Sequence, residues 1–169
     1  MTDPGERDYT MYAWYSWLVF VHLLGVFGFL MSHGVATFVT FRVRAEKDVT
    51  ALRALLALSG RSGIAMNVSL LVLLAGGISA AIVADISSGW PIAALVVLIV
   101  VSGLMSAFPG RQLRKIRTAA GITRRIKVTG EVNPVALAAS QATFNPWVSV
   151  VTGSVGLAII LWLMVLKPF

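Results

Sequence analysis

The chain has 169 residues, of which 57% are hydrophobic and only 12% charged, with a mean hydropathy of +0.85 and a formal net charge of +7. An average soluble domain carries about 25% charged residues, so this composition leaves too little polar surface for a water-soluble globule, and four spans of about 20 residues leave no room for a second, soluble domain. The absence of cysteine removes disulfides, thiolate metal sites and cysteine nucleophiles together.

In chain order, the first segment, Met1 to Asp8, sets Asp3, Glu6 and Asp8 against a single Arg7. A cleavable signal starts basic, so the first span is expected to be retained. Charge-free apolar stretches then occupy residues 14–41, 63–84, 90–108 and 147–166. Each is long enough to cross a hydrocarbon core of about 30 Å at about 1.5 Å per helical residue. Helix is forced there, because lipid offers backbone N–H and C=O groups no partner and the strict alternation of a barrel strand is absent. Pro91, Pro109, Pro146 and Pro168 fall at the ends of these stretches, where a missing N–H costs least. The fold class expected is therefore all-α, a four-helix transmembrane bundle forming one membrane domain over residues 1–169.

The connections, 42–62 and 109–146, decide the orientation. All fourteen Lys and Arg residues except Arg7 and Lys167 lie in them, so both are expected on the cytoplasmic side and both termini on the other. Trp14, Tyr15, Trp17, Trp90 and Trp162 then sit near the outer interface and Trp147 near the inner one. The basic runs read first as topological determinants beside anionic headgroups; nucleic acid is not expected as a partner. Within the first connection, Val49 to Leu58 places Leu52, Leu55 and Leu56 on one side and reads as a short surface helix or a continuation of span one. Within the second, the uncharged Asn133 to Asn145, with Ser140, Gln141 and Thr143, is too polar for lipid and reads as an interfacial or packed segment.

Helices in lipid gain little from hydrophobicity against one another, so small residues that allow close approach mark the contact faces. Span one offers Gly25, Gly28, Ser32 and Ala36; span two Gly76, Ala80 and Ala84; span three Gly103 and Ala107; span four Ser149, Gly153 and Gly156. These stripes suit a compact bundle, and equally a homodimer or a membrane partner subunit. Asn67 is expected to hydrogen-bond between helices, and Asp85 to cap or turn the chain at the outer interface.

His22 and His33, the only histidines, both lie in span one. Eleven residues is close to three turns, which places them on nearly one side and roughly 16 Å apart along the axis, flanking the small-residue stripe. Three chemistries suit such a pair. Haem b needs an axial histidine plus a second ligand, which here is a methionine or comes from another subunit. Copper(I) accepts imidazole and thioether, and Met31, Met66 and Met105 fall near the level of His33, with Met164 toward that of His22. A proton or ion relay uses the imidazoles alone. Against these stand the plain alternatives: methionine fills gaps in apolar packing, and a buried histidine hydrogen-bonds a neighbouring helix. The spans contain no carboxylate, so acid–base or nucleophile sets of hydrolases cannot be assembled at membrane depth, and an enzyme is not expected.

The run Phe20-Val21-His22-Leu23-Leu24-Gly25-Val26-Phe27-Gly28, the pair Gly76-Gly77 and the ending Leu163-Met164-Val165-Leu166-Lys167-Pro168 resemble bacterial predicted integral membrane proteins of unknown function that are distantly similar to copper-resistance protein D. The resemblance covers most of the chain through short apolar motifs. It implies a four-helix unit in a bacterial plasma membrane and a role in copper handling, with His22 as the residue matching a ligand position. The chain is shorter than the copper-resistance proteins and poorer in histidine. The expected function is accordingly a small membrane protein that binds haem or copper through His22 and His33. The alternatives are a scaffold or accessory subunit, or a small-solute or proton transporter.

Overall fold

The computed structural model describes residues 4–123, 127–128 and 130–168. Arg124 and Arg125, counted above among the cytoplasmic cations, and the first three residues of the acidic N-terminal segment lie outside them. Among the described residues six helices follow in order: α1 (Pro4–Ala45), α2 (Val49–Val83), α3 (Trp90–Ala107), α4 (Pro109–Ala119), α5 (Pro134–Thr143) and α6 (Pro146–Leu166). Between α4 and α5 the strands β1 (Ile122–Thr123) and β2 (Lys127–Val128) form a minimal antiparallel ladder, with Ile122 opposite Val128. The fold is all-α, and four helical stretches are long and apolar enough to cross a membrane.

Lipid as solvent explains surfaces that water would not tolerate. On α1 alone Trp14, Phe20, Phe27, Met31 and Phe38 are more than half exposed, a continuous apolar face far beyond the patches of soluble monomers. The polypeptide is an integral, multi-pass membrane protein.

The first two helices outrun the bilayer. A helix of 35 residues, the length of α2, is about 52 Å long against about 30 Å of hydrocarbon. The expected connection 42–62 is correspondingly helical at both ends. Val49 to Leu58 continues span two rather than span one and is not a separate surface helix, leaving Glu46, Lys47 and Asp48 as the link. The link is self-capped: Glu46 Oε1 accepts from the backbone N–H of Lys47 and Asp48, and the Asp48 carboxylate accepts from those of Thr50 and Ala51, satisfying orphan donors at the start of α2. At the other end of α2, Asp85 adopts a left-handed φ of 48°, a conformation Asp tolerates better than most residues at a helix exit.

The chain packs as two compact units, one within Met1–His33 and Gly63–Ser88 and the other within Gly34–Ser62 and Gly89–Phe169. In the first, α1 and α2 meet through glycine. A Cβ on Gly25 would strike the backbone of Leu73, one on Gly28 would lie 2.5 Å from Ser69 Oγ, and one on Gly76 would lie 2.6 Å from the backbone nitrogen of His22. The small residues read in the sequence as contact faces are here the contact itself.

In the second unit α3 packs along α6, with Val101 against Gly156. Ser149 and Gly153 are buried as well, whereas Gly103, expected in a tight contact, faces open space. Lys167 lies over the Trp90 ring at 5.6 Å, tying the end of α6 to the start of α3. The same unit contains the main hydrophobic core. Val39, Val43, Leu52, Leu56, Ile116, Ala119, Ala120, Ile122, Leu137 and Phe144 form one cluster. Apart from Ala80, Ala94 and Leu163, it includes every buried hydrophobic side chain among the described residues. The 133–145 segment is packed, as expected: Asn133 caps α5 through Ala136 N–H, and Leu137 and Phe144 enter the core.

Polar side chains close this core. Arg53 donates from Nε to the Ala120 carbonyl at 2.9 Å and from its terminal nitrogen to the Gly130 carbonyl at 3.0 Å. Gln141 donates to the Val43 and Glu46 carbonyls at 2.8 and 2.9 Å, satisfying acceptors at the end of α1 that have no helical partner. Arg117 donates to Ser59 Oγ at 3.0 Å. Gly121, with φ of 75°, lies so close to the Gly130 carbonyl that no Cβ fits, and this fixes the loop that Arg53 grips.

Candidate functional site

His22 stands where the backbones of α1 and α2 come close together, beside Gly76. Its Nδ1 is 2.8 Å from the Leu73 carbonyl oxygen of α2. A carbonyl only accepts, so Nδ1 carries the hydrogen, and in the neutral ring the lone pair belongs to Nε2. Gly77, one turn beyond Leu73, clears the way: a Cβ there would lie 2.6 Å from Nδ1. Gly76 clears the His22 backbone in the same manner. The glycine pair of span two is thus explained by one residue, Gly77 making room for the His22 ring and Gly76 for its backbone. This is the arrangement that orients a ligating histidine in metal sites, one ring nitrogen donating to a carbonyl and the other left basic.

His33 has a different setting in the same unit. Its ring is parallel to that of Phe29, one turn earlier, with centroids 6.4 Å apart. Its Nε2 is buried and has no hydrogen-bond partner among the described residues. A nitrogen withheld from solvent and unbonded is costly, and in lipid especially so.

Met31 is 73% exposed and projects outward. Met66 is half-buried on α2, while Met105 and Met164 belong to the other compact unit. Asn67, expected to bridge helices, is exposed. Ser32, Gly25, Gly76, Ala80 and Gly153 are buried and Gly28 and Ala36 half-buried, so the small-residue positions are mostly interior. No group of three His, Asp, Glu or Cys side chains is placed to hold a metal among the described residues.

Sequence reasoning missed the partner of His22, since the acceptor is a main-chain oxygen that no side-chain pattern announces. The signal that was available is the adjacency of Gly76 and Gly77. A double glycine mid-helix is costly unless something must approach the backbone there. No protein-family model matches the chain, and neither a curated protein nor a solved structure does.

Proposed function

We propose that this integral membrane protein holds a redox or soft metal centre, haem b or copper, with His22 as an intramembrane ligand, in a bacterial plasma membrane with both termini on the non-cytoplasmic face. The observation that carries the reading is the fixed tautomer of His22: Nδ1–H is committed to the Leu73 carbonyl, leaving Nε2 as the basic nitrogen. The resemblance to copper-resistance relatives leads the same way. His33, about 16 Å further along α1, is too distant to share an ion with His22 and would serve a second level.

The fit is that of one imidazole at each level, with the remaining donors supplied by a second copy or a partner subunit. Such a centre would supply one-electron chemistry at membrane depth. The chain's own part is to fix the ring, with Nδ1–H held on the Leu73 carbonyl and Nε2 turned to the ligand. The test is the protein purified from its native membranes, by visible spectrum and metal quantification, beside His22→Phe and His33→Phe. Loss of a Soret band or of bound copper in His22→Phe, with the melting temperature kept, supports the reading; identical spectra and metal content in all three proteins overturn it.

A second reading, an accessory subunit that recruits a membrane partner, is favoured by Gly34 and Gly103, which meet nothing within 4 Å of an added Cβ. Small residues open to lipid allow another helix to approach closely. Cross-linking from these two positions distinguishes it, since a metal centre makes no demand on them.

A further inference from the structure

Among the described residues, the cations of the charged end divide into two classes. Arg53 and Arg117 are inside the fold, bonded to the Ala120 and Gly130 carbonyls and to Ser59. Arg42, Arg44, Lys47, Arg61, Arg111, Arg114 and Lys115 are exposed, and none of these side chains has a hydrogen-bond or ion-pair partner among the described residues. The nearby acids do not neutralise them: the carboxylates of Glu46 and Asp48 are bonded to the backbone at the start of α2. On α4 the arrangement is organised. Arg111, Arg114, Lys115 and Thr118 follow at i, i+3, i+4 and i+7 and are all exposed, whereas Pro109, Ile116 and Ala119 on the opposite side are buried.

Depth identifies the anion. The membrane helix α3 passes into α4 through a single residue, the exposed Phe108. Arg111 is four residues beyond the end of α3 and Lys115 eight, or about 6 and 12 Å along a helix. Headgroups occupy roughly the first 5–8 Å outside the hydrocarbon, and at physiological ionic strength a charge is felt over about 8 Å. The first anions these side chains meet are lipid phosphates. The exposed α4 face carries no aromatic side chain on which a base could stack, which single-stranded nucleic acid would require.

We infer that the cationic face of α4, Arg111, Arg114 and Lys115, is a binding surface for anionic phospholipid headgroups of the adjoining leaflet. The inference depends on the four-span reading and on no property of the histidines. Each cation at the surface strengthens binding to anionic lipid about fivefold, and lowering the salt enhances it.

The test uses the full chain in detergent, with phosphatidylglycerol and phosphatidylcholine added in equal amounts and retained lipid read by native mass spectrometry. Wild type is expected to keep phosphatidylglycerol preferentially, the preference falling as salt is raised. In R111Q/R114Q/K115Q it is expected to fall about a hundredfold, and in the charge-keeping R111K/R114K to survive. K167Q, altered at the opposite end of the chain, is expected to match wild type. Equal retention of the two lipids by wild type overturns the inference without reference to any variant, as does unchanged preference in the triple variant. Retention of a short RNA or an acidic peptide in place of phosphatidylglycerol overturns it too.

Discussion

Where α1 meets α2 at Gly25, Gly76 and Gly77, two backbones touch with one imidazole bridging them; at the charged end, whole side chains such as Phe144, Leu52 and Leu56 interdigitate around the end of α1 and the start of α2. The difference follows the solvent. In lipid an apolar side chain gains nothing by leaving its surroundings, so contact is made by bringing backbones close and by satisfying the occasional polar group. Near water, burial of Leu and Phe is worth about 1.5–3 kcal/mol each, and a conventional core forms. A single helix, α1, contributes to both regimes along its length.

The largest expected effect is therefore at the charged end. Phe144→Ala should destabilise by about 3–5 kcal/mol, because a fully buried ring leaves a cavity; thermal unfolding in detergent measures it, and a cost under 1 kcal/mol would mean that this cluster is not a core. Arg53→Met should cost about 1.5–3 kcal/mol by leaving two carbonyls without their charged donor, with faster amide exchange or proteolysis across 120–130 as the local signature.

Glycine substitutions probe the other regime. Gly76→Ala should cost about 1–3 kcal/mol, since the added methyl meets backbone that cannot yield. Gly103→Ala, opening on free space, should stay within about 0.5 kcal/mol. Equal costs for the two would erase the distinction between packed and lipid-facing glycines. A similarly small stability effect is expected from His22→Phe, because one interhelical hydrogen bond in a membrane is worth about 0.6 kcal/mol. A large loss of bound metal or haem with so small a change in melting temperature separates a ligand from a packing residue.

Much of the fold was legible because its cause is local and repetitive. Length and absence of charge placed the spans, prolines marked their ends, and Pro91, Pro109 and Pro146 do sit in the first turns of α3, α4 and α6. The small residues Gly25, Gly28 and Gly76 were legible as contact faces for the same reason. Hydropathy measures lipid depth and not helix length, which is why 42–62 read as a connection although helix runs through most of it. Leu52 and Leu56 showed their shared side in the sequence, but their partners Ile116, Leu137 and Phe144 come from distant segments that no periodicity links. Of the candidate ligands, His22 and His33 were conspicuous by rarity, whereas the outward direction of Met31 depends on helix rotation that depth alone does not specify.

By itself the sequence determined the solvent of this protein, the number of its crossings and the grouping of its charges, since each follows from summed transfer free energies along a contiguous stretch. Only the tertiary structure decided which helix faces meet, that Leu73 rather than a side chain fixes the His22 ring, and which arginines are bonded inside and which are left exposed. Those outcomes depend on close contacts between residues far apart in the chain, and there a single methyl group or the direction of one carbonyl outweighs any average over composition.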